Sequence, residues 1–423
     1  KFYRYLSERY PQINEIVTSP QFLPECDYLY LDLNGVIHNA THGDSVTQGV
    51  RSDASVAAYV MGYICNIFKQ IQPRKLLFIA VDGVAPRAKL NQQRSRRYRA
   101  AIDSQSEIEK TQYKGSVFDS NAITPGTEFM YKVDKVLEYM IHRKVSEDPL
   151  WRNTKVLYSS HSDPGEGEHK IMKFIRGLVT DPKYDKNERH CIYGLDADLI
   201  LLSLSLHDVN LILLREIINF FSFADNKEDV EDRAVSKSTW QVLHLSLLRS
   251  YMLYDLTPSD HSWMEDTDKE RLIDDFVFLM ILMGDDFLPE LPSLDINEGS
   301  VQLIVSLYKD LISHAHGFLI EDAQPVMPLV HLLFKKLGEV EQRVFKQRME
   351  LKAHQHSSRF ATRKSSPPEA NPQQCEPGGL PVIKSEAFMK KQLGDKYDNY
   401  RDHYYYDKLN IKLPENKNVL NQV

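Results

Sequence analysis

Seven acidic residues stand near the ends of predicted strands or helices, and their types and spacing could hold metal ions. They come from five segments of the chain and are Asp32, Asp82, Glu166, Glu168, Asp196, Asp198 and Asp286. Carboxylate oxygens suit Mg²⁺ or Mn²⁺, and two such ions about 3.5–4 Å apart can hydrolyse a phosphodiester. In an extended chain, the E-x-E and D-x-D spacings would point each pair the same way. A helix cap or a turn would explain any single acid, but explains an acid at the end of every predicted strand less well.

The strands and helices that must position these acids predict an α/β fold with a mixed, mostly parallel central sheet. Four apolar runs predict strands at 28–33, 75–81, 154–160 and 191–195, and the last continues into the run LILLSL after two acids. Helical periodicity separates them at 54–71, 126–145 and 168–179, and a further helix is expected at 268–284. Strands that alternate with helices predict a central sheet flanked by helices, in which loops at the carboxyl ends of adjacent strands converge.

A dense basic segment follows Asp82 closely in this otherwise acidic chain. The net charge is −7, yet residues 87–99 read RAKLNQQRSRRYR, with no acid. On a helix, one face would carry Lys89, Gln93, Arg96 and Arg97. Such a face could bind a terminal phosphate, with the next phosphodiester at the metals, which would make cleavage depend on the 5′ end. A solvated basic helix is the alternative.

Composition excludes several classes of protein. Among the 423 residues are four cysteines without a C-x-x-C pair, so neither a disulfide framework nor a zinc knuckle is supported. The apolar runs are too short or too broken to predict a transmembrane helix, and we expect no membrane association. We predict a nuclease domain over 1–339, a polar, Pro/Gly/Ser-rich linker over 340–384 that starts with a charged helix candidate, and the beginning of a second region over 385–423.

With these residues in view, the chain closely resembles the Xrn family of 5′→3′ exoribonucleases. The matching motifs run from residue 1 to about residue 298 and include YLYLDLNGVIH, VDGVAPRAKLNQQRSRRYR, PGEGEHKIM and RHCIYGLDADLI, with RDHYYYDKLNI further on. The opening KFYRYLSERYP resembles the cytoplasmic mRNA-decay branch. The resemblance implies a core related to PIN and flap nucleases, two Mg²⁺ ions with Mn²⁺ as an alternative, and a cytoplasmic location.

The resemblance also implies a role for each site residue. All seven acids would be metal ligands, and Lys89, Gln93, Arg96 and Arg97 would hold a 5′-monophosphate. His38, which alone would read as a turn or core histidine, would stack on the first base, and Pro86 would help to block duplex entry. The family usually has Asn where this chain has Asp285, which leaves the last ligand open between Asp285 and Asp286.

The expected function is therefore processive 5′→3′ degradation of 5′-monophosphorylated single-stranded RNA, such as decapped mRNA, to nucleoside 5′-monophosphates. We expect a monomer, with mRNA decapping factors as partners. A structure-specific flap-type endonuclease is one alternative, and the basic stripe argues against it. A non-catalytic RNA-binding relative is the other, and the presence of all seven carboxylates argues against that.

Overall fold

A computed structural model describes residues 2–361 and residue 402, except for 19–22, 42–51, 112–117, 195, 208, 218–238, 289, 292 and 297–298. The chain divides into two compact units, Phe2–Met252 and Leu253–Val423, with Lys1 grouped with the second. The candidate site residues that precede Asp285 all lie in the first unit.

The described residues of the first unit form a sheet of seven strands. The strands are β1 Asn14–Val17, β2 Tyr28–Asp32, β3 Leu76–Ala80, β4 Lys155–Ser159, β5 Arg189–Tyr193, β6 Asn210–Ile217 and β7 Thr239–His244. Their order across the sheet is β1-β7-β6-β5-β2-β3-β4. Strands β2 to β6 pair in parallel, whereas β7 pairs antiparallel with β6 and β1. The prediction of a mixed, mostly parallel sheet is confirmed.

Helices connect and cover these strands. They are α1 Phe2–Arg9, α2 Asn34–Thr41, α3 Asp53–Ile71, α4 Arg87–Thr111, α5 Glu128–Glu147, α6 Gly167–Val179, α7 Asp198–Leu204 and α8 Leu245–Leu256, of which α8 contains the boundary between the units. Leu29 and Leu31 of β2 belong to the core that α3 and α5 cover. Tyr30 faces the other side, where its ring lies 6.2 Å from that of Phe174 in α6. Strand alternation thus gives the sheet two apolar faces, each with its own helices.

The four predicted strands and three intervening helices are confirmed, but the continuation of the last strand into LILLSL is wrong. That run forms α7, whose Leu199, Ile200 and Leu204 are buried. A short apolar run that is buried on most sides has no periodicity that separates a strand from a helix. Strands β1, β6 and β7 were not predicted.

The order of the strands explains how the acids come together. Strands β5, β2, β3 and β4 are neighbours and parallel, so their carboxyl ends lie along one edge of the sheet. Helix α6 joins β4 to β5, which lie on either side of the β2–β3 pair, so it must cross β3 and β2. Its first residue, Gly167, accordingly lies against Asp32 and Asp82.

The second unit contains α9 Lys269–Ile281, α10 Ser300–Ala315, the strands β8 Ile320–Glu321 and β9 Gln324–Pro325, and α11 Met327–Ala361. Buried Asp275 of α9 ties these parts together, since it accepts hydrogen bonds from Tyr308 Oη at 2.7 Å and from the backbone amides of Leu319 and Ile320 at 2.9 and 2.8 Å. The predicted helix at 268–284 is confirmed.

Helix α11 continues through residues 340–361, which confirms the charged helix candidate at the start of the predicted linker. Apart from residue 402, residues 362–423 lie outside the described part of the chain, so the boundaries 1–339, 340–384 and 385–423 stay predictions. Within the described residues, no helix combines the length and apolar character needed to cross a bilayer.

Candidate active site

Six of the seven predicted acids lie at or shortly after the carboxyl ends of the four neighbouring parallel strands. Asp32 is the last residue of β2, and Asp82 lies two residues beyond β3. Glu166 occupies the N-cap position of α6 and Glu168 its first turn, while Asp198 begins α7, two residues after Asp196. From the sequence, the E-x-E and D-x-D pairs are expected in extended chain. In the structure, both pairs lie at the start of a helix.

Backbone and side-chain amides hold Asp82 in place. Gly167 N donates to Asp82 Oδ1 at 2.6 Å. The side chain of Asn34 donates to Asp82 Oδ2, and its own oxygen accepts from the Asp82 amide at 2.9 Å. Asp32 also lies close to Gly167. A Cβ added at Gly167 would be 2.5 Å from Asp32 Oδ1 and 3.4 Å from Asp82 Oδ1. The two carboxylates thus meet over a residue without a side chain, and a Cβ at this position would displace the Asp32 carboxylate.

The pKa values show that the acids of all four strands interact. Burial, together with the charges of Asp82, Asp196 and Glu166, raises the pKa of Asp32 to about 8. Burial, with the charges of Asp32 and Asp198, likewise raises the pKa of Glu168 to about 8. The pKa of Asp82 is raised by burial first and then by Glu166. Such a cluster favours the uptake of positive charge, either as protons or as a cation.

Several carboxylate oxygens in the cluster are buried without a hydrogen-bond donor among the described residues. They are Asp32 Oδ1, Glu166 Oε2 and Glu168 Oε2. Buried polar atoms are normally satisfied, and an unpaired buried carboxylate is costly. One ligand atom from each of Glu166, Glu168 and His169 also lies within 4.8 Å of the other two. These hard oxygen donors fit a divalent cation.

The basic helix α4 joins this cluster through its first turn. Lys89 Nζ lies 2.7 Å from Glu166 Oε1, and both side chains are less than a tenth exposed. Lys89 is therefore not part of a solvated face. Further along the helix, Arg97 Nη2 donates to Gln93 Oε1 at 3.4 Å and both residues are half-buried, whereas Arg96 is exposed.

The remaining predicted residues lie near these elements or in the second unit. His38 is half-buried in α2, which begins two residues after Asp32, and Pro86 is exposed directly before α4. In the second unit, Asp285 Oδ1 accepts from the amides of Phe287 and Leu288 at 2.8 and 2.6 Å, as a turn-forming carboxylate does. Asp286 is half-buried beside it. The roles of His38, Pro86 and Asp286 stay predictions.

Sequence reasoning missed three residues that shape the site. Asn34 and Gly167 stand beside predicted ligands in their motifs, and that adjacency was the available signal. Lys170 gave no signal, because lysine is ordinary on the polar side of a helix. Its Nζ donates to the carbonyl oxygens of Val81 and Ser160, both at 2.8 Å, and so braces the ends of β3 and β4.

This fold and site define an α/β protein with a buried acidic cluster beside a basic helix. The chain belongs to the Xrn family: residues 1–217 match the family described as "XRN 5'-3' exonuclease N-terminus", and residues 266–379 match "Xrn1 helical domain". The resemblance found in the motifs is thereby confirmed.

The chain is also similar to proteins named 5'-3' exoribonuclease. The chain is 44% identical to 5'-3' exoribonuclease 1 of Saccharomyces cerevisiae, over 76% of this chain and 21% of that protein. It is 41% identical to 5'-3' exoribonuclease 1 of Homo sapiens, over 82% of this chain and 20% of that protein. The chain thus spans about a fifth of the length of these relatives. A solved structure of the catalytic core of Rad2 with DNA covers 95% of this chain and 98% of its own, with 13% identity and a TM-score of 0.38.

Proposed function

We propose that this chain forms the nuclease part of a processive 5′→3′ exoribonuclease that degrades 5′-monophosphorylated single-stranded RNA to nucleoside 5′-monophosphates. One observation carries the proposal: Glu166 belongs to the acidic cluster and is also the ion-pair partner of Lys89, 2.7 Å away. A group suited to binding a terminal phosphate therefore adjoins a group suited to holding the cation that would cleave the next phosphodiester.

In this proposal the acids hold two Mg²⁺ ions, with Mn²⁺ as an alternative, and the ligands are Asp32, Asp82, Glu166, Glu168, Asp196, Asp198 and Asp286. Divalent cations supply Lewis-acid chemistry that favours ionisation of water and stabilises charge on a phosphodiester. Lys89 and Gln93 bind the 5′-monophosphate together with Arg96 and Arg97. His38 stacks on the first base, and Pro86 blocks entry of a duplex.

The position of α4 gives a reason for cleavage from the end. Since Lys89 adjoins Glu166, a 5′-phosphate held there would fix how far the chain extends before it meets the acids. Each cycle would then release one nucleotide, and the new 5′-phosphate would rebind in the same place. Decapped mRNA is the substrate that this chemistry fits. We further propose a cytoplasmic, monomeric enzyme that works with mRNA decapping factors.

The proposal is tested by comparing RNA ends. The protein is incubated with Mg²⁺ and 3′-labelled single-stranded RNAs that carry a 5′-monophosphate, a 5′-triphosphate or a 5′-hydroxyl, with EDTA as the metal-free control. We expect degradation of the monophosphate RNA alone, without internal fragments. Internal or equal cleavage of all three would favour a flap-type endonuclease, and intact binding without cleavage would favour a non-catalytic RNA-binding protein.

Two variants separate the roles of the acids and of the basic helix. Asp198→Ala should abolish cleavage while RNA binding remains measurable, because it removes a carboxylate from the cation site. Arg97→Ala should reduce the preference for 5′-monophosphate over 5′-hydroxyl RNA. Retained turnover in the first variant would contradict the metal assignment. An unchanged preference in the second would remove Arg97 from the phosphate site.

A further inference from the structure

His169 lies at the edge of the acidic cluster and has no role in the function proposed above. It follows Glu168 in α6 and is half-exposed. Its Nε2 atom lies 3.8 Å from Glu168 Oε1, and one ligand atom from each of Glu166, Glu168 and His169 lies within 4.8 Å of the other two. The imidazole is thus a nitrogen donor beside oxygen donors.

The spacing of these three donors suits a single ion. Protein ligands bind a divalent transition metal at about 2.0–2.2 Å, so two ligands of one ion lie up to about 4.4 Å apart. The three donor atoms lie within 4.8 Å of one another, so side-chain shifts of a few tenths of an ångström would bring them all within that span. Glu166 Oε2 and Glu168 Oε2 are buried without a hydrogen-bond partner among the described residues, which indicates that a cation belongs on their side of the cluster.

We propose that His169 is a nitrogen ligand of one cation in this site, and that this position therefore binds Mn²⁺ in preference to Mg²⁺. The inference rests on the proposed metal site and adds a ligand and a selectivity to it. Mg²⁺ takes oxygen ligands almost exclusively, whereas imidazole favours transition metals. A site with one nitrogen among carboxylates would discriminate between ions that an all-carboxylate site treats more alike.

A protonated His169 that merely pairs with Glu168 is the competing explanation for the same distance. At 3.8 Å, Nε2 and Oε1 are too far apart for a good hydrogen bond, although not for an ion pair. The two explanations differ in one respect that can be measured. A ligand transfers unpaired electron spin from the metal to its nitrogen, and an ion-paired imidazolium does not.

The test is pulsed electron paramagnetic resonance on the intact chain loaded with Mn²⁺ in the absence of RNA. We expect modulation of the Mn²⁺ signal by a ¹⁴N nucleus in the wild type, and its loss in His169→Ala. His142→Ala is the matched control, because His142 is an exposed histidine of α5, and it should retain the modulation. Titrations should show at least about a 10-fold loss of Mn²⁺ affinity in His169→Ala and a smaller loss of Mg²⁺ affinity.

Three results would overturn the proposal, and they separate it from the function on which it rests. Bound Mn²⁺ without nitrogen coupling in the wild type would remove His169 from the ligands and leave an all-carboxylate metal site intact. Coupling that persists in His169→Ala would assign the nitrogen to another group. If the folded wild type bound no Mn²⁺, and Mn²⁺ left its thermal unfolding temperature unchanged, the metal site itself would be ruled out.

Discussion

Replacing Gly167 by alanine tests whether the position of the Asp32 carboxylate controls the reaction without deleting any carboxylate. The added Cβ would lie 2.5 Å from Asp32 Oδ1 and 3.2 Å from its Cγ. Carbon and oxygen in contact are about 3.3–3.6 Å apart, so the carboxylate must retreat by roughly 1 Å. A displacement of about 1 Å at a catalytic centre costs roughly 100-fold in rate. We therefore expect kcat to fall about 100-fold, which corresponds to about 2.7 kcal/mol of activation free energy.

The effect on folding should be much smaller than the effect on rate. Gly167 has an ordinary backbone conformation at the start of α6, where alanine is allowed and is the better helix former by up to about 1 kcal/mol. The assays are single-turnover cleavage of 5′-monophosphate RNA, Mn²⁺ affinity, and urea unfolding. A folded variant that cleaves within about threefold of the wild-type rate would refute the link between the position of Asp32 and catalysis.

Gly177 provides a matched control in the same helix. A Cβ at this exposed position would meet no heavy atom within 4 Å. Gly177→Ala should therefore keep the wild-type rate and metal affinity, and it should gain up to about 1 kcal/mol of stability from helix propensity. A comparable loss of rate in Gly177→Ala would mean that the helix, and not the contact with Asp32, is responsible.

Lys170→Met should lower kcat more than it raises KM, because the carbonyls at the ends of β3 and β4 lose their shared donor. Lys170→Arg should recover part of kcat. A wild-type kcat in Lys170→Met would contradict a positioning role for Lys170. EDTA-treated protein should melt at lower temperature as pH rises from 6 to 8. In the folded protein Asp32 and Glu168 have pKa values of about 8, whereas in the unfolded chain they are ionised over this range. Mg²⁺ should therefore remove the dependence of the melting temperature on pH. A melting temperature that does not change with pH in EDTA would contradict the raised pKa values. His190, whose ring nitrogens bond to Tyr30 and Tyr184, has a pKa lowered to about 4 by burial. Between pH 6.5 and 4, His190 is protonated only in the unfolded chain. The free energy of unfolding of the wild type should therefore fall by up to about 3 kcal/mol over this range. Urea unfolding of His190→Asn, measured at the same pH values, should lack that decrease.

The sequence predicted the centre of the sheet because its strands are buried and connected locally. β2 and β3 carry continuous apolar runs, and an acid ends β2 or shortly follows β3 at the edge where parallel strands end. β1 was beyond the reach of such reasoning. Its sequence NEIV is short and partly exposed, and it pairs with β7, more than 200 residues later in the chain. Pairing at that distance leaves no local pattern.

The acids and Lys89 could be selected from residue type and spacing, but the hydrogen bonds that orient the acids could not be predicted. Asn34 and Lys170 act through hydrogen bonds to partners 48 and 89 residues away in sequence. Hydrogen bonds of this kind follow from the crossing of α6 over the sheet and produce no periodicity in the chain. The helical start of the D-x-D pair was missed for a related reason, since the apolar run after Asp198 fits a buried strand equally well.

Lys89 connects the two halves of the site and should make them interdependent. With no cation present, its ammonium group is what the fold places against Glu166. If Lys89 turned to a 5′-phosphate while the site lacked metal, Glu166 would lose that partner, and a buried carboxylate without compensation is costly. With a cation bound, the same oxygens would stay neutralised and Lys89 would be released at little cost. Binding of the metal and binding of the 5′ end should therefore strengthen each other, because in the proposed site a single lysine would serve both groups.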